Sequence, residues 1–382
     1  MKRAAGKVVI AAGGTAGHVV PALAVADALR ADGVDVAFIG ADRAEAQLVP
    51  AAGYALHRIT VQGMSRTNPL RAARALLLAA RAVRRSRALL RELAPDAVMG
   101  GGGYVAAPVV LAALLRRVPV VLTEADHHLG LSNRLLAPFA RTVCLAFTPP
   151  PARRRRRAGA RGQGSGAAWD AGRARRAARR GRLRVTGRPI PPPSRDAEGA
   201  RRRVQISSDE TCVLVFGGSL GAHSINIAAI EAFAGSAFRV LHICGRRDYA
   251  ELSAHELRAG YRLIEYLEQA DFADALAASD LVVARAGGSI FEIAAHGVPA
   301  ILIPYPHAAG GHQSANARWM SEAGAALTIP DSELSPARLA REVAALLGDR
   351  ARLAEMARAS RALARVDAAR EVAREILLAG GG

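Results

Sequence analysis

The sequence predicts an α/β protein built from two doubly wound parallel domains. Short β-branched runs alternate with helix-compatible segments, which is typical of parallel sheets whose strands are joined by helices. The hydrophobic fraction is 51% while aromatic residues make up only 4%, which favours parallel α/β folds over aromatic-rich sandwiches. The pattern of strand, glycine loop and helix occurs twice, and a chain of 382 residues is long enough for two domains.

The N-terminal half predicts four strands that end at turns. They are short apolar runs at 7–12, 34–39, 96–99 and 118–122. The first leads into a loop at 13–18 that reads G-G-T-A-G-H, ahead of a helical stretch at 21–30. The third leads into G-G-G-G-Y at 100–104. Strands and helices in this order place ligand groups at the carboxyl ends of the strands.

The C-terminal half repeats the plan. Its predicted strands cover 211–216, 238–243, 281–284 and 300–304. The first of them leads into G-G-S-L-G at 217–221 and a helix at 225–233. Two such Rossmann-like domains facing a central cleft form the architecture called GT-B. We expect domains at 1–150 and 185–358, an insertion and linker at 151–184, and a helix at 359–382 that returns to the first domain.

The net charge of +19 is concentrated in one segment. Residues 152–203 hold 18 arginines and three acidic residues, a balance of +15, so the rest of the chain sums to +4. Residues 153–182 are of low complexity and carry too little apolar surface to pack, which predicts a disordered insertion. Two explanations of its charge remain open: the segment has no selected function, or it is attracted to anionic lipid. Nucleic-acid binding is less favoured than either.

Cysteine usage and hydropathy exclude several classes of protein. Cys144, Cys212 and Cys244 are far apart in the sequence, so neither a disulfide framework nor a zinc site is indicated and a reducing cytoplasm is expected. The N-terminal apolar stretch is too short for a signal peptide. The longest apolar run, 105–115, is well below the roughly 20 residues of a spanning helix.

A predicted helix at 70–93 has two contrasting faces. Its arginines include Arg71, Arg74, Arg81 and Arg85, and its apolar face includes Leu77 and Val83. Two interpretations remain open: a helix lying on a membrane surface, or an ordinary amphipathic helix that packs on the sheet and exposes a basic face.

Three glycine-rich loops follow predicted strands, and such loops either bind phosphate or only allow close packing of the backbone. Their backbone N–H groups can approach an anion closely, and the following helix N-terminus adds partial positive charge. A dinucleotide oxidoreductase would need G-x-G-x-x-G and an acidic residue closing the second strand, but Asp42 lies beyond that strand. The P-loop pattern G-x-x-x-x-G-K-[ST] does not occur.

Seven motifs in order along the chain resemble the MurG family, the UDP-N-acetylglucosamine transferases that convert lipid I into lipid II. The motifs read G-G-T-A-G-H-V-V-P-A-L-A at 13–24, M-G-G-G-G-Y-V at 99–105, L-G-L-S-N-R at 129–134, V-T-G-R-P at 185–189, F-G-G-S-L-G-A at 216–222, R-A-G-G-S-I-F-E at 285–292 and P-Y-P-H-A-A-G-G-H-Q-S-A-N-A at 304–317. The resemblance covers nearly the whole chain apart from the insertion. It implies an acceptor-binding, membrane-side first domain and a second domain that binds the UDP-sugar.

The resemblance also implies the roles of individual residues in donor binding. Glu292 would accept hydrogen bonds from the ribose hydroxyls, as a carboxylate does well, and Leu267 would meet the uracil. Gln313 would bond the sugar hydroxyls with Asn316 nearby. The residues expected around the donor diphosphate and nucleotide are Thr15, Ala16, Gly17, Asp126, Arg188, Ser219, Gly288 and Ser289.

On the acceptor side, the resemblance implies that Gly14, Gly102, Gly103 and Tyr104 line the acceptor diphosphate pocket. His18 is the first candidate for the general base, since imidazole titrates near neutrality, and Asp126 is the alternative. His18 could instead only hydrogen-bond phosphate or backbone, and Asp126 could be an ordinary polar loop residue.

The sequence departs from the family pattern at three places, one of which is the 285–292 motif, one residue shorter than the common pattern. Thr123-Glu124-Ala125-Asp126 stands where the family usually has H-E-Q-N, so a carboxylate replaces an amide near the sugar. The arginine that follows the family's G-N-P turn corresponds to Pro191, for which Arg188 is the candidate replacement.

The implied reaction is attack of the acceptor C4 hydroxyl on C1 of N-acetylglucosamine, with inversion and loss of UDP. Backbone donors and helix N-termini can stabilise the departing charge, and the sequence has no D-x-D triplet. We therefore expect no metal and no cofactor, with UDP-N-acetylglucosamine as a substrate. The acidic and histidine residues at 126–128 are adjacent, which suits a solvated loop better than a chelate.

The expected partners are UDP-N-acetylglucosamine, lipid I and an anionic membrane surface, with no nucleic acid. The expected location is the cytoplasmic face of the bacterial plasma membrane, as a peripheral protein. An enzyme of the same fold with another lipid or small-molecule acceptor, and a non-catalytic nucleotide-sugar-binding protein, are the alternatives.

Overall fold

The computed structural model describes residues 6–61, 69–149, 182–218 and 220–381. The chain divides into two compact units. Unit 1 combines Met1–Ile190 with Asp367–Gly382, and unit 2 is Pro191–Val366. The predicted insertion at 153–182 lies outside the described residues except for its last position.

Unit 1 contains a seven-stranded parallel sheet in the order β3-β2-β1-β4-β5-β6-β7. The strands are β1 Lys7–Ala11, β2 Asp35–Gly40, β3 Ala55–Arg58, β4 Ala97–Gly100, β5 Val120–Glu124, β6 Thr142–Leu145 and β7 Leu183–Val185. The helices are α1 Ala16–Ala31, α2 Ala44–Ala51, α3 Pro69–Leu93, α4 Gly103–Leu115, α5 Leu131–Leu136 and, from the chain end, α14 Ala368–Gly380. The central strands are buried on both faces, which explains why they read as continuous apolar runs.

Unit 2 contains a six-stranded parallel sheet in the order β10-β9-β8-β11-β12-β13. Its strands are β8 Cys212–Phe216, β9 Arg239–Ile243, β10 Tyr261–Ile264, β11 Leu281–Ala284, β12 Ala300–Leu302 and β13 Ala326–Thr328. Its helices are α6 Ala197–Arg203, α7 His223–Phe233, α8 Tyr249–Leu252, α9 Gln269–Ala277, α10 Ile290–His296, α11 His312–Glu322, α12 Pro336–Gly348 and α13 Arg350–Leu363, with 3-10 turns at Ala309–Gly311 and Asp331–Glu333. The prediction of two parallel α/β domains is therefore confirmed.

The units divide a few residues away from the positions predicted. The second domain was expected from 185, but the backbone N–H groups of Thr186 and Gly187 both bond Leu145 O at the end of β6. The returning helix was expected from 359, but α13 continues to Leu363 and packs against α10 in unit 2. The segment that joins the first core is α14, which buries Val372, Ala373 and Ile376 against α1 and the sheet.

The predicted helix at 70–93 is present as α3. It packs against α4 and buries Ala82, Ser86, Leu89 and Leu90. One face of α3 is therefore buried within unit 1, as expected for an ordinary amphipathic helix. Leu77 and several arginines remain exposed on the described part of the helix.

Candidate active site

Two glycine loops of unit 1 interlock around His18. Strands β1 and β4 are neighbours, so the loops that follow them leave the sheet side by side. A Cβ added at Gly102 would lie 2.7 Å from His18 Cδ2, and one added at Gly103 would lie 2.5 Å from Gly13 O. Both distances are shorter than real Cβ contacts, so only glycine permits this approach. The two loops that the sequence predicts after β1 and β4 thus form one packed cluster.

His18 is held in the first turn of α1. Its Nδ1 lies 3.1 Å from Thr15 Oγ1, and the guanidinium of Arg188 donates to Gly17 O in the same turn. Burial lowers the pKa of His18, and the Arg188 charge acts in the same direction, while Asp126 and Glu45 oppose them. The structure therefore favours the neutral imidazole.

Glu124 at the end of β5 is a buried carboxylate beside this cluster. Its Oε2 accepts hydrogen bonds from Gly130 N at 2.7 Å and Asn133 Nδ2 at 3.0 Å, and its Oε1 accepts from Asp126 N at 3.2 Å. Burial is the main cause that raises the pKa of Glu124 to about 7, against the hydrogen bonds that lower it. Glu124 thus anchors the loop that carries Asp126.

A small pocket that is open to solvent joins these groups within unit 1. Its lining includes Gly17, His18, Gly101, Thr123, Glu124 and Arg188. Every one of them follows or ends a strand of the parallel sheet or begins a helix, which is where parallel α/β sheets bind ligands.

In unit 2, the loop between β8 and α7 is fixed by a close backbone approach. A Cβ at Gly221 would lie 2.0 Å from Cys244 O, and Gly221 has φ +78°. Asn226 on α7 donates to the same carbonyl at 2.9 Å and to Asp248 Oδ2 at 2.7 Å. The loop that follows β8 is therefore tied to the one that follows β9. Ser219 lies outside the described residues.

A second loop of unit 2 follows β11 and leads into α10. Gly288 and Ser289 are half-buried in this loop, and Glu292 lies in the first turn of α10. Asn316 is only 3% exposed, and its Nδ2 donates to Ala286 O at 2.9 Å. The side-chain amide of Asn316 therefore fixes the backbone of this loop.

Gln313 and Leu267 lie at two further strand ends of unit 2. Gln313, in the first turn of α11, accepts a hydrogen bond from Tyr305 N at 2.8 Å, which fixes the segment after β12 against the helix. Leu267 follows β10 immediately before α9, next to Tyr266, whose ring lies under the Arg246 guanidinium at 5.1 Å.

Comparison with known proteins identifies the family. The glycosyltransferase family 28 N-terminal domain matches residues 8–145, and the C-terminal domain of the same family matches 212–372. The chain belongs to glycosyltransferase family 28. The structural likeness extends to the crystal structure of Acinetobacter baumannii MurG, at a TM-score of 0.73 and 28% identity over 98% of this chain and 100% of that one.

Relatives within the family span nearly the whole chain. A protein of Rubrobacter xylanophilus is 44% identical over 93% of this chain and 98% of its own length. One of Nitrosococcus oceani is 39% identical over 98% and 99%. Both are named UDP-N-acetylglucosamine–N-acetylmuramyl-(pentapeptide) pyrophosphoryl-undecaprenol N-acetylglucosamine transferase. The resemblance to the MurG family, the GT-B fold class and the assignment as a glycosyltransferase are thereby confirmed.

The predicted site residues of this family member fall into two groups. Those of unit 1 follow the strands β1, β4, β5 and β7, and three of them, Gly17, His18 and Arg188, line the pocket. The others are Gly14, Thr15, Ala16, Gly102, Gly103, Tyr104 and Asp126. Those of unit 2 follow three strands: Leu267, Gly288, Ser289, Glu292, Gln313 and Asn316. Among the described residues, no group of three or more His, Cys, Asp or Glu side chains is placed to hold a metal ion.

Three polar residues important to the geometry received no role from sequence reasoning. They are Glu45, Glu124 and Arg285. Arg285 is 9% exposed and donates to Ile303 O, to Ser224 Oγ and to Asp331 Oδ1, which ties β11 to the segments after β12 and β13. The signal that could have found Glu124 and Arg285 is their position directly at a strand end.

Proposed function

We propose that this chain transfers N-acetylglucosamine from UDP-N-acetylglucosamine to the C4 hydroxyl of undecaprenyl-diphospho-N-acetylmuramoyl-pentapeptide. The observation that carries the proposal is the interlocked pair of glycine loops around His18, beside the pocket of unit 1. Relatives that are similar over nearly the full chain are named for this activity, which supports the proposal.

The donor binds through unit 2 in this proposal. Glu292 accepts hydrogen bonds from the ribose, and Leu267 contacts the uracil. Ser219, Gly288 and Ser289 meet the nucleotide, and Gln313 bonds the sugar. Asn316 acts indirectly, because its buried side-chain amide donates to the carbonyl of Ala286 in the loop that carries Ser289.

The acceptor binds in unit 1. Its diphosphate meets Tyr104 and the glycine loop after β4, while Thr15, Ala16 and Gly17 lie toward the donor diphosphate. Thr15, Ala16 and Gly17 begin α1, and amides at a helix start are donors without partners inside the helix. Arg188 supplies a cation to the same turn through Gly17 O.

His18 removes the proton of the attacking hydroxyl. The lowered pKa of His18 leaves a neutral imidazole at pH 7, and when Nδ1 carries the proton and donates to Thr15 Oγ1, Nε2 is the acceptor. The acceptor C4 oxygen then bonds C1 of the sugar from the face opposite UDP, the bond from C1 to the phosphate oxygen breaks, and UDP leaves with the electron pair. Helix N-termini stabilise the departing charge without a metal.

We also propose that unit 1 associates with a membrane surface, and exposed side chains of its helices support this. Helix α4 packs against both α3 and α5, and this surface exposes large apolar side chains: Leu77, Leu111, Leu115, Leu131, Leu135 and Phe139. Arg81 and Arg84 on α3, Arg117 after α4 and Arg141 before β6 are also exposed, and exposed apolar and basic side chains together suit anionic bilayers. No helix in the described part of the chain is long and apolar enough to cross a membrane. We propose peripheral binding at the cytoplasmic face, next to the lipid-linked acceptor.

The decisive test is incubation of the protein with UDP-N-acetylglucosamine and a short-chain lipid I analogue in the presence of EDTA. We expect stoichiometric formation of UDP and of a disaccharide product at the rate seen without EDTA. Product formed only on other acceptors would replace the acceptor assignment, and no UDP release from any UDP-sugar would rule out the transferase. A loss of activity in EDTA that Mg²⁺ restores would remove the metal-independent mechanism.

A further inference from the structure

Glu45 is a buried acidic residue that the roles described so far leave unused. It is fully buried near the start of α2. Its Oε1 accepts a hydrogen bond from Ala41 N at 2.9 Å, and its Oε2 accepts one from Gly14 N at 2.8 Å. Ala41 directly follows β2, and Gly14 lies in the loop after the neighbouring strand β1. One carboxylate therefore ties together two adjacent strand ends.

The packing around Glu45 is specific to this arrangement. A Cβ at Gly13 would lie 2.4 Å from Glu45 Oε1, and a Cβ at Gly40 would lie 2.9 Å from Glu45 Cγ. The two glycines make room for the carboxyl group, which fills the space behind the loop. Burying an acidic side chain is unfavourable unless it is hydrogen-bonded. An apolar residue would fill this space without that penalty, so the choice of a glutamate indicates that its hydrogen bonds matter.

The bond to Gly14 has a consequence for ligand binding. The N–H of Gly14 points back to Glu45 Oε2, so it is not the donor that a diphosphate meets in this loop. Gly14 is held at φ +100°, and the next residue is Thr15, whose hydroxyl contacts His18 Nδ1. Fixing Gly14 thus fixes the origin of the turn that carries the imidazole.

Glu45 also acts on His18 through its charge. Among the described residues, the charged groups that act on His18 are Arg188, Asp126 and Glu45. Arg188 lowers the pKa of His18, and the two carboxylates raise it, with burial as the largest influence. Asp126 raises the pKa of His18 more than Glu45 does, and of the two carboxylates Glu45 is the one enclosed within the fold.

We infer that Glu45 is a positioning residue for the transfer reaction: it holds the β1 loop so that His18 Nε2 faces the attacking hydroxyl, and it supports the imidazole as a proton acceptor. This inference rests on the proposed function. It extends that function to a residue on a neighbouring loop that touches neither substrate.

The test compares Glu45→Gln and Glu45→Asp with Glu375→Gln as the matched control. Glu375 is an acidic residue of the same unit that accepts from Thr142 Oγ1 at 3.0 Å, away from the loop. For Glu45→Gln we expect kcat to fall on the order of 100-fold while the donor KM changes less than about twofold, because misplacement affects the reaction step. The acid limb of the kcat/KM profile should move to lower pH, since a charge that raises the pKa of His18 is gone.

Glu45→Asp keeps the charge but shortens the reach. It should leave the acid limb where it is in the wild type and still lower kcat. Thermal unfolding of each variant shows whether it is folded, and the aspartate variant supports the test if the glutamine variant does not fold.

Two results would overturn the inference without affecting the proposed function. One is a wild-type kcat in Glu45→Asp. The other is a wild-type kcat in Glu45→Gln together with an unshifted acid limb of its kcat/KM profile. A drop in Glu375→Gln equal to that in Glu45→Gln assigns the effect to general destabilisation and also overturns it. An inactive wild-type protein instead removes the proposed function together with the role of Glu45.

Discussion

At the scale of single residues, the site combines two ionisable groups, His18 and Glu124, whose pKa values shift in opposite directions. Burial lowers the pKa of His18 and raises that of Glu124 to about 7. Each shift favours the neutral form of its group, as expected for side chains in a partly enclosed pocket. A neutral imidazole is ready to accept a proton, which is the state that a general base needs.

Replacing His18 by Ala should therefore lower kcat by about 10²- to 10⁴-fold, the usual contribution of a general base. The acid limb of the wild-type kcat/KM profile should lie below pH 6.5, because the folded pKa of His18 is lowered from that value, and the variant should lack this limb. Steady-state kinetics from pH 5 to 9 measures both. A variant with wild-type kcat would transfer the role to Asp126, for which Asp126→Asn is the next substitution to measure.

Glu124 predicts a pH dependence of stability. Its pKa rises from 4.5 to about 7 on folding, so its contribution to the free energy of unfolding is present below pH 4.5 and is lost as pH rises through 7. The loss amounts to about 3 kcal/mol as an order of magnitude. Urea unfolding at pH 5 and pH 8 should show a smaller decline for Glu124→Gln than for the wild type. Equal declines in the two proteins would contradict the raised pKa.

Sequence reasoning found the glycine loops and His18 but gave no role to Glu45 or Glu124. Glycine loops are visible because a local motif fixes both their conformation and their place after a strand. Glu45 lies 31 residues from its partner Gly14, and an acidic residue near a helix start is usually explained by the helix dipole. Its burial is a property of the assembled sheet, and therefore only the structure reveals it.

At the scale of elements, interior strands were predictable and edge strands were not. The strands predicted at 7–12, 211–216 and 281–284 match β1, β8 and β11 closely. The unpredicted strands are β3, β6, β7, β10 and β13, and four of these five lie at the edges of the two sheets. Edge strands here have three or four residues, some of them exposed, so the apolar run that marks a buried strand is absent.

The loop between β8 and α7 gives a prediction at this scale. Gly221→Ala would place a Cβ 2.0 Å from Cys244 O in a backbone with φ +78°, so the loop must move away from Gly245. The strain should cost at least about 1 kcal/mol and weaken UDP binding by roughly tenfold or more. Calorimetric titration with UDP measures the effect, and Gly235→Ala, where a Cβ meets nothing within 4 Å, is the control. Unchanged affinity in Gly221→Ala would mean that this loop does not position the nucleotide.

At the scale of the whole molecule, the chain returns to its first unit after completing the second. The motifs predicted two domains because each carries its own series of strands and glycine loops. The exact boundaries of the two units depend on packing that no sequence motif predicts. The residues after β7 belong to unit 1 because they donate hydrogen bonds to Leu145 O, and α13 belongs to unit 2 because it packs on α10. Both ends of unit 1 are therefore needed to complete its core.

This closure predicts that a substitution near the C-terminus destabilises the N-terminal unit. Ile376 on α14 is fully buried in the core cluster of β1, β2 and α1, and truncating it to Ala should cost about 2 to 5 kcal/mol. Leu378 on the same helix is 56% exposed, so Leu378→Ala should change stability by less than about 0.5 kcal/mol. Urea unfolding followed by circular dichroism should show a less stable transition for Ile376→Ala, while UDP affinity at low urea stays unchanged because both units are still folded there. If Ile376→Ala were as stable as Leu378→Ala, α14 would contribute no core to unit 1, and the discontinuous unit would be wrong.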